Sequence, residues 1–222
     1  MKKQRYRVTF LSDIVLPATS NTEGNIMQLD FIPGSNFLGM VARHYDKFEN
    51  SFEIFHSGAV RFGDATLEID GKETYKMPSS FFHEKLNDIK IYNHHKIENF
   101  SLFTQLKQKR EGYITQDLQE CFIDYVYAQK SAYDTTIRTS KESGMYGYKA
   151  IVGGTKWLFD VTLQDNTDGT KIKNFLEQST QLGKSKSSQY GKIKIEFIDE
   201  HNIIQEKEKN LERQIAQAQK MK

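Results

Sequence analysis

The stretch that most constrains this chain is a loop of lysines and serines between two glycines, which leads into an alternating strand. It reads GKSKSSQYGKIKIEF and spans residues 183–197. Lys184, Lys186 and Lys192 occur with three serines, and the loop contains no acidic residue. Glycines let a backbone approach a ligand closely, hydroxyls and amides donate hydrogen bonds, and lysines neutralise phosphates. The pattern favours a polyanion-binding loop, and the alternative interpretation is a flexible solvated turn.

Alternating apolar and polar residues predict half-buried strands at residues 5–11, 157–163 and 193–197. Residues 170–181 instead carry apolar side chains at helical spacing, which predicts a short helix before the lysine-serine loop. The residues VRFGDATLEID at 60–70 predict a further strand that ends in a turn at Gly71. The glycine- and tyrosine-rich residues 144–148 are suited to a hairpin.

A second informative stretch, LDFIPGSNFLGMVARHYDKF, spans residues 29–48. Pro33 and Gly34 predict a turn, and Ser35 or Asn36 is suited to cap the helix that follows. Its apolar residues recur at helical spacing, which predicts a buried face; they are Phe37, Met40, Val41, Tyr45 and Phe48. The amides of residues 34–36 lie at the predicted helix N-terminus, where they could bind an anion.

Gly39 and Arg43 lie one turn apart on a different face of this predicted helix. A glycine inside a helix costs about 1 kcal/mol relative to alanine, so it indicates a place where something approaches closely. That something is either the sheet, through helix packing, or a ligand to which Arg43 would add a charge-assisted contact. His44 falls near the apolar stripe and is interpreted as a histidine at the edge of the core.

The order of these elements is strand, helix, strand, strand, helix, strand. It predicts an α+β fold, a ferredoxin-like (RRM-like) βαββαβ unit with a large insertion and a C-terminal helix. We expect a single domain over residues 1–198, an insertion at about residues 65–135 and a charged helical tail over residues 199–222. The first and last strands should be neighbours in the centre of the sheet. Arg5 and Arg7 would then share a basic strip with Lys192 and Lys194, which Glu196 and Asp160 dilute.

Composition limits the kinds of function. The net charge of the 222 residues is only +2, so any nucleic-acid surface must be local. The single cysteine, Cys121, excludes an internal disulfide framework and fits a reducing, cytoplasmic setting. His94 and His95 adjoin but lack the partner spacing of a zinc site, so we predict neither a metal nor a cofactor. No apolar run approaches the length that spans a membrane.

The two informative stretches carry a resemblance to a known family. FIPGSNFLGMVAR at 31–43 and LGKSKSSQYGKIKIE at 182–196 resemble the RAMP superfamily, the RNA-binding subunits of CRISPR effector complexes. VRFGDA at 60–65 and TTIRTSKESGMYGYKAIVGGTKWLFDV at 135–161 agree with this resemblance. The motifs LDFIPGS and VRFGDA are most similar to those of the subunit that caps the crRNA 5′ handle in type III complexes, particularly subtype D. Members of that group often contain two such units, whereas this chain has one.

The resemblance implies a non-catalytic subunit that grips the crRNA 5′ handle and caps an antiviral effector ribonucleoprotein. The implied partners are crRNA, a neighbouring RAMP backbone subunit, a large subunit or nuclease, and target RNA nearby, without a membrane. Tyr146, Tyr148 or Tyr190 would be available to stack on splayed bases, and the alternative is that these tyrosines belong to the core. The expected RNA-binding residues are Gly34, Ser35, Gly39, Arg43, Arg138, Tyr146, Gly183, Lys184, Ser185, Lys186, Ser187, Ser188, Tyr190, Gly191 and Lys192.

Three alternatives remain open at this stage. A backbone RAMP subunit would cut target RNA through an acidic residue in a loop, for which Asp13 and Asp30 are the candidates. A crRNA-processing endoribonuclease would use His44 with a nearby lysine or tyrosine as acid and base. A structural protein would use the sheet only to bind another protein.

Overall fold

The computed structural model describes residues 1–19, 27–134, 136, 138–164, 167, 169–186 and 189–198. The predicted helical tail at 199–222 lies outside these residues. The helices are α1 (Gly34–Ala42), α2 (Ser51–His56) and α3 (Thr170–Gln178), with 3-10 turns at Tyr45–Lys47, His94–Lys96 and Phe100–Leu102. The strands are β1 (Lys2–Phe10), β2 (Val60–Phe62), β3 (Thr66–Ile69), β4 (Lys72–Lys76), β5 (Phe81–Glu84), β6 (Asn87–Asn93), β7 (Leu106–Gln108), β8 (Tyr113–Thr115), β9 (Glu120–Cys121), β10 (Tyr125–Asp134), β11 (Thr139–Ile151), β12 (Lys156–Leu163) and β13 (Ile193–Ile198).

The central sheet confirms the predicted α+β, ferredoxin-like fold. Its order is β13-β1-β12-β3, with β2 also paired to β12, and every pairing is antiparallel. Helices α1 and α3 provide the two connections of a βαββαβ unit. The first and last strands are neighbours, as predicted, but only β1 is central. β12 occupies the other edge of β1, which leaves β13 at the end of the order.

One face of this sheet forms the core with α1 and α3. Tyr6 of β1 is fully buried and stacks on Phe159 of β12, with ring centroids 5.1 Å apart. Phe37 of α1 stacks on the same Phe159 at 3.7 Å, and Ile172 and Leu176 of α3 are fully buried in the same cluster. Burial of each such side chain stabilises the fold by about 1.5–3 kcal/mol. Both helices are therefore held on one side of the sheet.

The opposite face is not the basic strip that the sequence predicts. Arg7 forms a bidentate pair with the buried Glu68, both hydrogen bonds being 2.6 Å long. Arg5 donates to Asp160 at 2.8 Å and to Glu73 at 3.0 Å. Lys194 similarly pairs with Glu196 at 2.6 Å. Antiparallel pairing thus brings carboxylates of other strands against the two arginines, whereas Lys194 pairs within β13. Lys192 lies just before β13 and is exposed.

The chain between β3 and β12 forms three further pieces. β4, β8 and β9 extend the central sheet, β5, β6 and β7 form a separate three-stranded sheet, and β10 and β11 form a long hairpin. Asp70 and Gly71 both have positive φ and make the predicted turn between β3 and β4. In the described part of the chain, no helix is long and apolar enough to cross a membrane.

Two predicted elements differ from the structure. The single strand expected at 60–70 is divided into β2 and β3, because Gly63 bonds to the carbonyl of Asp160 and Ala65 pairs with Ile32. The hairpin turn expected at 144–148 is instead a continuous part of β11. Its residues pair in register with β10, for example Ala128 with Tyr148, and the chain turns earlier, near Arg138.

Candidate nucleic-acid interface

The lysine-serine loop, residues 183–192, is bonded along its backbone to the segment that follows β1. The N–H of Lys184 donates to the carbonyl of Val15 at 2.8 Å, and that of Gly191 donates to the carbonyl of Asp13 at 3.0 Å. Gly183 has a φ of +84°, and a Cβ there would overlap the Val15 carbonyl oxygen. These amides are used within the protein. The loop is a built structure that presents lysine side chains, and it differs from the solvated turn considered above.

The side chains of this loop have distinct environments. Tyr190 is 2 % exposed and meets Tyr148 edge-on at 6.1 Å, so its ring belongs to the core and is closed to stacking in this conformation. Lys184 lies over the Tyr148 ring at 5.8 Å, whereas Lys192 is exposed. Ser185 adopts a φ of +58°, which is uncommon for a residue other than glycine. Ser187, Ser188 and the side chain of Tyr146 lie outside the described residues.

The N-terminus of α1 is bonded to Asp64, a residue that sequence reasoning did not single out. The N–H of Gly34 donates to Asp64 Oδ1 at 2.7 Å, and a Cβ at Gly34 would overlap the carbonyl oxygen of Phe62. The predicted cap at Ser35 or Asn36 is wrong, since the N-cap is Pro33 and no side chain of its own caps it. The Gly34 amide thus holds a carboxylate of the protein itself. The co-occurrence of IPGS and FGDA in the sequence was the available signal for this contact.

The outward face of α1 presents small side chains and then a cation. Ser35, Gly39 and Arg43 follow one another at intervals of four residues, so they share one face, and all three are exposed. No atom lies within 4 Å of a Cβ built on Gly39. Helix-on-sheet packing therefore does not explain the glycine at this position. The backbone of α1 is open here to a close approach from outside.

Arg43 and Lys186 are far apart in the sequence, but the charge of Arg43 acts on Lys186. Partial burial lowers the pKa of Lys186, and the positive charge of Arg43 lowers it further. Within the described residues, neither side chain has a carboxylate at ion-pair distance. Cations without a counter-charge favour the binding of an anion near them. We call Ser35, Gly39, Arg43 and Lys186 the α1 strip.

The remaining predicted residues are placed elsewhere. Arg138 is exposed near the turn of the β10–β11 hairpin, where its φ is +55°. Asp13 accepts the N–H of Gly153 through Oδ1 at 2.9 Å, so this carboxylate braces the loops beneath the lysine-serine loop. Asp30 pairs with Lys76 at 3.2 Å.

His44 stacks on Phe175 with ring centroids 4.1 Å apart, which agrees with its interpretation as a histidine at the edge of the core. Among the described residues, no three His, Cys, Asp or Glu side chains are grouped closely enough to hold a metal ion.

The sequence matches no protein-family model and no curated protein. The fold is similar to that of chains in cryo-EM structures of type III-B Cmr-beta. One chain, from Cmr-beta bound to cognate target RNA and AMPPnP, has a TM-score of 0.54 and 13% identity, over 88% of this chain and 63% of that one. Another, from Cmr-beta bound to cognate target RNA, has a TM-score of 0.52 and 8% identity, over 89% and 97%. A chain of the apo state has a TM-score of 0.51 and 8% identity over the same shares. This chain therefore shares its fold with chains of type III-B Cmr-beta.

Proposed function

We propose that this protein is a non-catalytic, RNA-binding subunit of a CRISPR effector ribonucleoprotein. The observation that carries the proposal is the open face of α1, where Ser35, Gly39 and Arg43 are exposed and nothing lies within 4 Å of a Cβ built on Gly39. Among the described residues Arg43 and Lys186 lack a carboxylate partner, and RNA phosphates supply the counter-charges in this proposal. The fold supports the proposal, because two of the similar Cmr-beta chains come from structures bound to target RNA.

In this proposal the protein holds the RNA through its backbone. Ribose and phosphate pass over Gly39, where nothing fills the space above the helix, and phosphates contact Arg43 and Lys186. Such contacts position an RNA without reading its bases. The lysine-serine loop keeps Lys186 in place through its hydrogen bonds to residues 12–15.

The proposed RNA is crRNA, and the proposed position is its 5′ handle. This finer assignment rests on the resemblance of LDFIPGS and VRFGDA to handle-capping subunits of subtype D-like complexes. The hydrogen bond between Gly34 and Asp64 joins these two motifs, and together they fix the start of α1. Neighbouring effector subunits, among them a RAMP backbone subunit, are the proposed protein partners.

RNA cleavage by this chain is less favoured by the geometry. The Asp13 carboxylate already accepts the amide of Gly153, and Asp30 is paired with Lys76. His44 is stacked against Phe175. We expect the purified protein to leave both repeat RNA and target RNA intact, and the Asp13→Ala variant to behave identically.

The proposal is tested by isolating the protein from its host and sequencing the RNA that co-purifies. We expect RNAs with one uniform, short 5′ tag. The charge-reversal pair Arg43→Glu and Lys186→Glu should lose this RNA while retaining the circular dichroism spectrum of the wild type. The matched control is Lys85→Glu with Lys96→Glu, because both lysines are exposed and the change in net charge is the same. Random RNA fragments, or equal retention by the two double variants, would contradict the proposal.

A further inference from the structure

A series of aromatic rings leads from α3 to the surface beside the α1 strip. Phe48 lies 5.6 Å from Phe175 of α3 and 5.4 Å from Phe55 of α2. Phe55 is 5.2 Å from Tyr45, Tyr45 is 5.9 Å from His56, and His56 is 5.5 Å from Phe52. The inner rings pack in or against the core, and they support the outer ones at defined positions.

The three outer rings are exposed. Phe52 is 71 % exposed and Tyr45 is 41 % exposed, and His56 is also at the surface. Large rings gathered on a surface indicate a binding site more often than isolated ones do. We call Tyr45, Phe52 and His56 the aromatic platform. The sequence predicted Tyr45 on the buried face of the helix, which is wrong, since the helix ends at Ala42 and Tyr45 is exposed.

The aromatic platform adjoins the cationic end of the α1 strip. Tyr45 follows Arg43 by two residues, so their Cα atoms are at most about 7 Å apart. His44, between them, turns inward onto Phe175. The exposed rings therefore begin close along the backbone to Arg43, the cation of the α1 strip on this helix.

The charges around the aromatic platform differ from those of the α1 strip. Asp46 is 3.7 Å from Lys47, and Glu49 and Glu53 are exposed without an ion-pair partner among the described residues. Carboxylates repel phosphates, so the surroundings of the aromatic platform do not attract an RNA backbone. The aromatic platform would therefore contact a nucleotide through the flat face of a ring.

We propose that the aromatic platform stacks on unpaired bases of a single-stranded RNA whose phosphates the α1 strip holds. This inference rests on the proposed function and extends it to the form of RNA that is bound. Unstacked bases are commonly bound by Phe, Tyr and His rings, and such stacking is tolerant of sequence because every base has a π-face. In a duplex the bases are stacked on one another, so the aromatic platform discriminates against paired RNA.

Binding of short oligonucleotides to the full chain tests this proposal. Phe52→Ala and Tyr45→Ala should each weaken the binding of a single-stranded RNA by about 5- to 150-fold. Binding of an abasic ribose-phosphate strand of the same length should be unchanged. Tyr75→Ala is the matched control, since Tyr75 is 52 % exposed on β4, outside the aromatic platform. It should bind both strands like the wild type.

A spectroscopic measurement separates stacking from other effects. Phe52→Trp adds an exposed tryptophan to a chain whose single native one, Trp157, is fully buried. We expect single-stranded RNA to quench its emission and the abasic strand to leave the emission unchanged. Wild-type RNA affinity in both alanine variants, with binding lost in Arg43→Glu and Lys186→Glu, would refute the aromatic platform while preserving the proposed function. If the two alanine variants bind RNA like the wild type but no longer associate with another subunit, the aromatic platform is a protein-docking surface and the inference is overturned.

Discussion

At the scale of single residues, two glycines of α1 have opposite roles. Gly34 is buried against β2, where a Cβ would overlap the Phe62 carbonyl oxygen. Gly39 is exposed and has no neighbour within 4 Å of a built Cβ. Internal packing thus requires the first glycine and leaves the second unexplained.

These glycines give a paired prediction. Gly34→Ala should lower the free energy of unfolding by about 1–3 kcal/mol, because the backbone of β2 must move. Gly39→Ala should raise it by up to about 1 kcal/mol, since alanine favours the helix, and should weaken RNA binding by obstructing the open face. Urea unfolding and RNA titration of both variants measure these effects. A Gly39→Ala protein that is more stable and binds RNA normally would contradict close approach of the backbone.

Lys186 carries a second prediction at this scale. Burial and the charge of Arg43 lower its pKa, so at a given alkaline pH a larger share of its amine is neutral and nucleophilic. Lys186 should be acylated faster than the exposed Lys85 and Lys96, as measured by mass spectrometry after brief labelling. Arg43→Gln should slow this reaction by removing the like charge, and RNA should protect the amine. Equal labelling of Lys186 in the wild type and in Arg43→Gln would show that the two charges do not interact.

At the scale of elements, the open face of the central sheet is bound together by ion pairs between strands. Asp160 of β12 pairs with Arg5 and Lys3 of β1, and Arg5 also reaches Glu73 of β4. Burial raises the pKa of Asp160, but the hydrogen bonds and charges of Arg5 and Lys3 outweigh it and hold the pKa below its usual value. This face has its own counter-charges, which explains why the proposed RNA surface lies on the helix side.

The Asp160 pairs predict a dependence of stability on pH. A carboxylate whose pKa is lowered in the folded state contributes stability that is present above its unfolded pKa of about 3.9 and is lost as pH falls through the folded pKa. Asp160→Asn should therefore cost about 2 kcal/mol at pH 7 and progressively less near pH 3. Urea unfolding at the two pH values tests this expectation. If the wild type and Asp160→Asn differ in unfolding free energy by the same amount at both pH values, the charge of the carboxylate does not contribute to stability.

At the scale of the whole molecule, a chain with a net charge of +2 has a weak overall attraction for RNA. Its affinity for RNA must then depend on a few local contacts. The slope of log K against log salt is proportional to the number of phosphates that these contacts neutralise. Removing two phosphate contacts, by Arg43→Gln with Lys186→Gln, should make the slope of log K against log salt shallower by about 1.4 for single-stranded RNA. Fluorescence titrations from low to moderate salt measure this slope. An unchanged slope in the double variant would place the phosphate contacts elsewhere.

Local patterns in the sequence were sufficient for most of the sheet and its helices. The alternation of Trp157, Phe159 and Val161 with polar neighbours predicted β12, and the helical spacing of Ile172 and Leu176 predicted α3. Each of these signals lies within one element, because side chains repeat every two residues in a strand and every 3.6 in a helix. The order of those elements was then enough to predict the ferredoxin-like unit.

Contacts between elements were beyond such patterns. Arg5 and Arg7 appear as a basic face in the sequence, yet β12 and β3 bring Asp160 and Glu68 against them. Tyr190 appears available for stacking, yet Val15 and Ala150 enclose it. In both cases the deciding partner belongs to a strand or loop far along the chain.

The sequence by itself determined the main strands and helices of the ferredoxin-like unit, the glycine-bounded cationic loop and the small residues of one helix face, because these depend on local spacing and residue type. Only the tertiary structure decided which charges remain without a partner. It cancelled the arginines of the sheet face, occupied the Gly34 amide with Asp64, and left Arg43 and Lys186 without a carboxylate partner among the described residues. The physical reason is that electrostatic interaction depends on distance in space, which chain folding sets independently of distance along the sequence.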